Sequence, residues 1–199
     1  MSKIIAFSGG CFSGKTTAIQ SIENRLKREG YNVAVLDEVI RTATKKPIDL
    51  IRKNPHEYLQ LQCAVIREKM RQESEALADN SKTLYLADRA ITDSLFYLQN
   101  YVDKSQLPSM LDFCILHSSV VHHAERVFNS GKYHVIEFCP LDSDNNNDKY
   151  RPENVRYTKY YEFEAISLLN QAFTDVYRIN MNYSNSLETL YQFVKSKCS

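Results

Sequence analysis

Residues 8–17 read SGGCFSGKTT. Within them Gly9-x-x-x-x-Gly14-Lys15-Thr16 satisfies the P-loop spacing in full. Each residue type has a physical task there. Gly9, Gly10 and Gly14 let successive backbone N–H groups turn toward phosphate oxygens, and a following helix adds the positive end of its dipole. Lys15 reaches the β- and γ-phosphates, Thr16 offers a hydroxyl to Mg²⁺, and Thr17 continues the binding segment. The motif therefore implies ATP and Mg²⁺ as cofactors. Its surroundings agree: KIIAFS (3–8) is a short apolar run ending at glycine, and residues 16–29 place Ile19, Ile22 and Leu26 on one helical face before Gly30. NVAVLD (32–37) repeats the apolar run, so the chain opens β-α-β and the class is α/β with a parallel sheet.

Further along, Asn54-Pro55 opens a long helix to about Ala78, and TLYLAD (83–88) reads as an interior strand. Helix follows from near Thr92. Another helical stretch runs from Pro108 to about Phe128, broken by Gly131, and KYHVIEFC (132–139) is the fourth strand. Residues 140–154, PLDSDNNNDKYRPEN, form a long polar stretch that reads as a lid. Helix over 156–172, a fifth strand over 174–180 and an amphipathic helix over 186–197 complete the pattern, with Ser186 as a cap and Leu187, Leu190 and Val194 facing inward. No repeat or boundary interrupts it, and residues 1–199 read as one domain.

Composition narrows the class. The 199 residues are 43% hydrophobic without an apolar run of membrane-spanning length, and the formal charge is +1, which gives no global attraction to nucleic acid. Five scattered cysteines lack metal spacing, and with no export signal the expected location is the cytoplasm. A GTP switch would add Asp-x-x-Gly and Asn-Lys-x-Asp segments, which the five glycines do not supply. A motor of the AAA type needs an acidic pair on a strand well downstream of the loop. VAVLDE (33–38) imitates that pair, but on the strand directly after the first helix.

Two acidic strand ends remain. Glu38 and Arg41 follow the second strand, where ligands of open α/β sheets collect, and provide a carboxylate to accept a proton and a cation to neutralise charge. Asp88 ends the third strand near the expected Mg²⁺ position, with Arg89 toward an acceptor. Asp93, one turn into the next helix, reads as a cap or an exposed acid and is left out of the site. His117, His122 and His123 lack the four-residue interval that chelates on a helix face. Tyr58, Tyr97 and Tyr150 fall near the expected acceptor or lid. The basic stretch RTATKKPIDLIRK (41–53) is a solvated face, or else holds a nucleotide monophosphate or an oligonucleotide backbone.

Taken together, GGCFSGKTT (9–17), LDEVIR (36–41), YLADRAITDS (85–94) and DNNNDKYRPEN (144–154) resemble, in order, the P-loop nucleoside and nucleotide kinases: thymidylate kinases, deoxynucleoside kinases and nicotinamide riboside kinase-like domains. The resemblance runs nearly end to end. It implies a three-layer P-loop fold with five parallel strands in the order 2-3-1-4-5. It also implies an acceptor between the helices after strands two and three, and a lid closing over the phosphates. Asp148-Lys149-Tyr150-Arg151 stands where the family's Asp-Gly-x-Arg lid would be, with lysine in place of glycine. Arg151 is then the lid arginine and Arg156 a second candidate. The expected activity is ATP-dependent phosphoryl transfer to a nucleoside, nucleotide or similar acceptor. A polynucleotide kinase and a slow nucleotide-binding regulator stay open as alternatives, as does a homodimer through the long central helices.

Overall fold

The computed structural model describes residues 1–10, 13–36, 38–46, 50–51, 53–81, 83–101, 110–141 and 155–198, the side chains of 41, 42, 101 and 155–159 excepted. The strands are β1 (Lys3–Ser8), β2 (Val33–Leu36), β3 (Leu84–Asp88), β4 (Tyr133–Phe138) and β5 (Val176–Ile179). They form one parallel sheet in the order β2-β3-β1-β4-β5, as the resemblance implied. Between them lie α1 (Lys15–Arg28), α2 (Ile40–Ala43), α3 (Pro55–Ala78), α4 (Ile91–Tyr101), α5 (Met110–Asn129) and α6 (Val155–Gln171), and α7 (Ser186–Ser196) follows β5.

Alternation along the strands divides the interior into two cores. Ile4, Ala6, Ala87 and Val135 pack against α3, α4 and α5, while Ile5, Phe7, Leu86, Ile136 and Phe138 pack against α1 and α7. Strands with apolar side chains on both faces are what a helix-covered parallel sheet requires. Each fully buried Ile, Leu or Phe contributes roughly 1.5–3 kcal/mol. Ile19, Ile22 and Leu26 face inward as their spacing indicates.

Register brings the strand ends to a common level. Phe7 pairs with Asp88 and Ser8 with Glu137, so the loop after β1 emerges between two carboxylates. The helix starts are also local in origin. Asn54 Oδ1 accepts from the Glu57 amide at 3.2 Å, and Pro55 occupies the first turn of α3.

The last helix departs from expectation. Asn185, not Ser186, is its cap residue, Ser186 donates instead to the Asn180 carbonyl, and Leu187 is 38% exposed. Leu187 stands in the first turn of α7, at the open end of its apolar face, while Leu190 and Val194 remain buried. Among the described residues no helix is long and apolar enough to cross a membrane.

Candidate functional site

The site begins where β1 ends. Gly9 and Gly14 take φ of +130° and +86°, conformations in which an L side chain is strained. A Cβ at Gly9 would stand 2.8 Å from the Phe138 carbonyl oxygen, so the turn also needs the missing side chain for space. Gly14 precedes α1, with no side-chain cap on the helix N-terminus.

Lys15 is nearly buried and folds back over the loop. Its Nζ donates to the Gly9 carbonyl at 3.0 Å, the Gly10 carbonyl at 2.6 Å and Ser13 Oγ at 3.0 Å. Ser13 Oγ in turn donates to the Gly10 carbonyl at 3.1 Å. The ammonium is thus held at the centre of the loop by neutral dipoles, which an anionic phosphate would replace with stronger, charge-assisted bonds. Beside it Thr16 Oγ1 donates to Asp88 Oδ2 at 2.6 Å. A hydroxyl and a carboxylate at that separation are hard oxygen donors suited to Mg²⁺, directly or through water. Thr17 is exposed on the same first turn.

Beyond β3 the chain takes a sharp step. Arg89 has φ of +77°, rare for a non-glycine residue, and its amide donates to the Phe7 carbonyl at 3.1 Å. The step aims the guanidinium across the loop. Arg89 Nε donates to Glu38 Oε1 at 2.5 Å, and Nη1 donates to Tyr97 OH at 2.9 Å and to the Gly9 carbonyl at 3.3 Å. The Arg89 Cζ also lies 4.9 Å from the centroid of the Tyr97 ring. Glu38 from the end of β2, Arg89 from the end of β3 and Tyr97 from α4 therefore converge beside the first glycine of the loop.

This loop, its lysine, and an acidic residue at the end of the neighbouring strand are accompanied by a match over most of the chain, residues 4–185, to a family model described as an AAA domain. The chain belongs to the AAA domain family. No curated protein matches it. As an AAA-type P-loop NTPase it is expected to bind and hydrolyse nucleotide at the loop. The sequence argued only against a motor of the AAA type, from the position of VAVLDE, and that strand, β2, does lie at the sheet edge with β3 between it and β1. The carboxylate that reaches Thr16 comes from Asp88 on that intervening strand.

The AAA domain has a polar layer beneath this surface that the sequence reading passed over. Asp93 is not an exposed acid or a cap. It is fully buried, its Oδ1 accepts from Ser8 Oγ at 2.5 Å, and its Oδ2 lies 3.8 Å from Arg89 Nη1. Asn170 Nδ2 donates to Ser8 Oγ at 2.8 Å and to Glu137 Oε1 at 3.1 Å, and Thr92 Oγ1 donates to Asn170 Oδ1. Burial pushes the Asp93 carboxyl up to about 6, against the opposing influence of Arg89, the Ser8 hydroxyl, Lys15 and Lys69. Spacing along the chain held no signal for this, because Arg89 lies before the helix with a positive φ and only the bend between β3 and α4 brings it near Asp93.

Other candidates fall elsewhere. Tyr58 is 1% exposed within the core packed on α3, so its burial is accounted for by packing. His117 Nε2 meets Gln99 Nε2 at 2.7 Å and buried His123 meets Glu73 at 2.9 Å, while His122 is exposed. Arg151, Tyr150 and residues 142–154 of the lid lie outside the described residues, as do the side chains of Arg41 and Arg156 and the whole of Asp37, the first member of the acidic pair.

Proposed function

We propose that the protein is an ATP- and Mg²⁺-dependent phosphotransferase that passes the γ-phosphate to a nucleoside, nucleotide or similar acceptor. The observation that carries this is the convergence of Glu38, Arg89 and Tyr97 beside the loop. Hydrolysis alone needs water and a charge stabiliser, whereas a carboxylate, a guanidinium and a phenol gathered beside the first glycine of the loop make a surface for a second substrate. Bound Mg²⁺ would supply charge neutralisation on the phosphates. Lys15, Thr16, Thr17 and the amides of Gly9, Gly10 and Gly14 bind the nucleotide, and Asp88 orients Thr16. Glu38 accepts the acceptor's proton, with Asp88 the alternative base. Arg89 offsets charge on the moving group, and Tyr97 orders both the arginine and the acceptor.

Arg41, Arg151 and Arg156 complete the proposal as cations from the flanks and the lid, which excludes water when the acceptor is present. The test is a transfer screen with γ-labelled ATP and Mg²⁺ over nucleosides, nucleoside monophosphates, nicotinamide riboside and DNA with natural or hydroxymethylated bases, with Lys15→Ala as control. The expected outcome is labelled product from one acceptor class, at a rate at least tenfold above hydrolysis without acceptor, and loss of about 100-fold or more in the control. Rapid hydrolysis that no acceptor accelerates would refute the kinase assignment.

A further inference from the structure

Asp93 combines three features that no purely structural role requires. Its carboxylate is fully buried, one oxygen is satisfied by Ser8, and the other has no hydrogen-bond partner. Leaving such an oxygen unbonded in the interior costs about 1–3 kcal/mol. Arg89 Nη1 lies 3.8 Å from it, about 1 Å beyond a charge-assisted hydrogen bond. On the other side of the arginine is Glu38. Arg89 is thus shared by two carboxylates, one facing the loop and one behind it.

We propose that Asp93 is a positioning residue: from behind the site it holds Arg89 by charge and the end of β1 through Ser8, so that Glu38 can release the guanidinium and take up a proton. The inference rests on the transfer reaction proposed above. Were Asp93 neutral, its attraction for the guanidinium would be lost, and Glu38 would be harder to separate from the arginine. With Asp93 ionised, Nη1 has a second anion to close upon. Ser8 carries the same effect into the loop, because it is the last residue of β1 and its hydroxyl accepts from Asn170 while donating to Asp93.

Every element around Asp93 presents a group to it. Arg89 lies just past the end of β3, Ser8 on β1, Lys15 on α1, Lys69 on α3 and Tyr133 on β4, with Asn170 of α6 reaching Asp93 through Ser8. The cations favour the ionised form, and burial opposes it. Because the carboxyl titrates near 6, turnover should fall as pH drops through that value.

Asp93→Asn tests this, since an amide can still accept from Ser8 but cannot attract Arg89. Wild type, Asp93→Asn and Ser8→Ala are compared from pH 5 to 9 for phosphate transfer and, in parallel, for Mg·ATP hydrolysis without acceptor, alongside melting temperatures. The expected result for Asp93→Asn at pH 8 is a loss of about 10- to 100-fold in kcat, a change in KM for ATP of less than about threefold, no acid limb near pH 6, and no loss of stability. Ser8→Ala should keep the acid limb, because Asp93 and Arg89 remain. Wild-type kcat in Asp93→Asn, an unshifted acid limb, or a loss matched by a lower melting temperature would overturn the role. Hydrolysis without transfer to any acceptor would overturn the kinase assignment, while the acid limb of hydrolysis would still report on Asp93.

Discussion

Gly9 shows how much one residue decides. Its φ of +130° turns the chain out of β1, and its hydrogen sits where a methyl group would press on the Phe138 carbonyl at 2.8 Å. Gly9→Ala meets both penalties, and since the obstacle is backbone of the central sheet it cannot rotate away. The expected loss is about 2–4 kcal/mol by chemical denaturation, with weaker Mg·ATP binding by calorimetry. An alanine variant of unchanged stability would mean the turn is not under this constraint. Arg89 makes the complementary case: a positive φ on a residue with a side chain stores strain of about 1–3 kcal/mol, tolerated because it aims the guanidinium across the loop.

Among the elements, α3 shows a second buried polar system on the same core face as Asp93. Glu73 accepts from Tyr133 OH at 2.7 Å and from His123 Nε2 at 2.9 Å, and Lys69 Nζ lies 3.5 Å from its Oε1. Arg126 Nη2 is 3.0 Å from His123 Nδ1, so the arginine donates to Nδ1 and the imidazole carries its proton on Nε2, facing Glu73. Burial and the Glu73 carboxylate together push the Tyr133 hydroxyl well up from its usual range. Glu73→Ala would leave a buried ammonium, a phenol and an imidazole without their shared partner. Denaturant titration should show a loss of about 3–5 kcal/mol, and Glu73→Gln, which retains hydrogen bonds to two of the three, a smaller one. A loss below about 1 kcal/mol would show that solvent already reaches the cluster.

For the whole molecule the pH dependence of folding carries the signature of Asp93. Its carboxyl rises from 3.8 toward about 6 on folding, so the native chain holds that proton more tightly than the unfolded chain. Its favourable contribution is therefore fully present below about pH 4 and is lost as pH rises through 6. Relative to Asp93→Asn, which does not titrate there, wild-type unfolding free energy should decline by up to about 3 kcal/mol between pH 4 and pH 8. Parallel curves for the two proteins would exclude a buried, titrating Asp93. Activity should move the other way over the same interval, since the ionised form positions Arg89.

The loop motif, the alternation of apolar runs with helical periods and the acidic strand ends were legible in the chain itself, because each is set by neighbours within about ten residues. Backbone freedom at glycine, a dipole at a helix start and an apolar face all act locally, which is why the five strands could be anticipated, whereas the hydrogen bond from Thr16 to Asp88, 72 residues away, depends on β3 lying beside β1. Strand order came only by likeness to a family, since spacing along the chain does not say which parallel strands touch. Side-chain environment was hidden for the same reason. Asp93 reads as a surface acid until β1, α3 and α6 close around it, and nothing near Tyr58 in the chain says that its ring is 1% exposed in the core around α3. Burial is a property of what arrives from elsewhere in the chain, and only the assembled sheet and helices decide it.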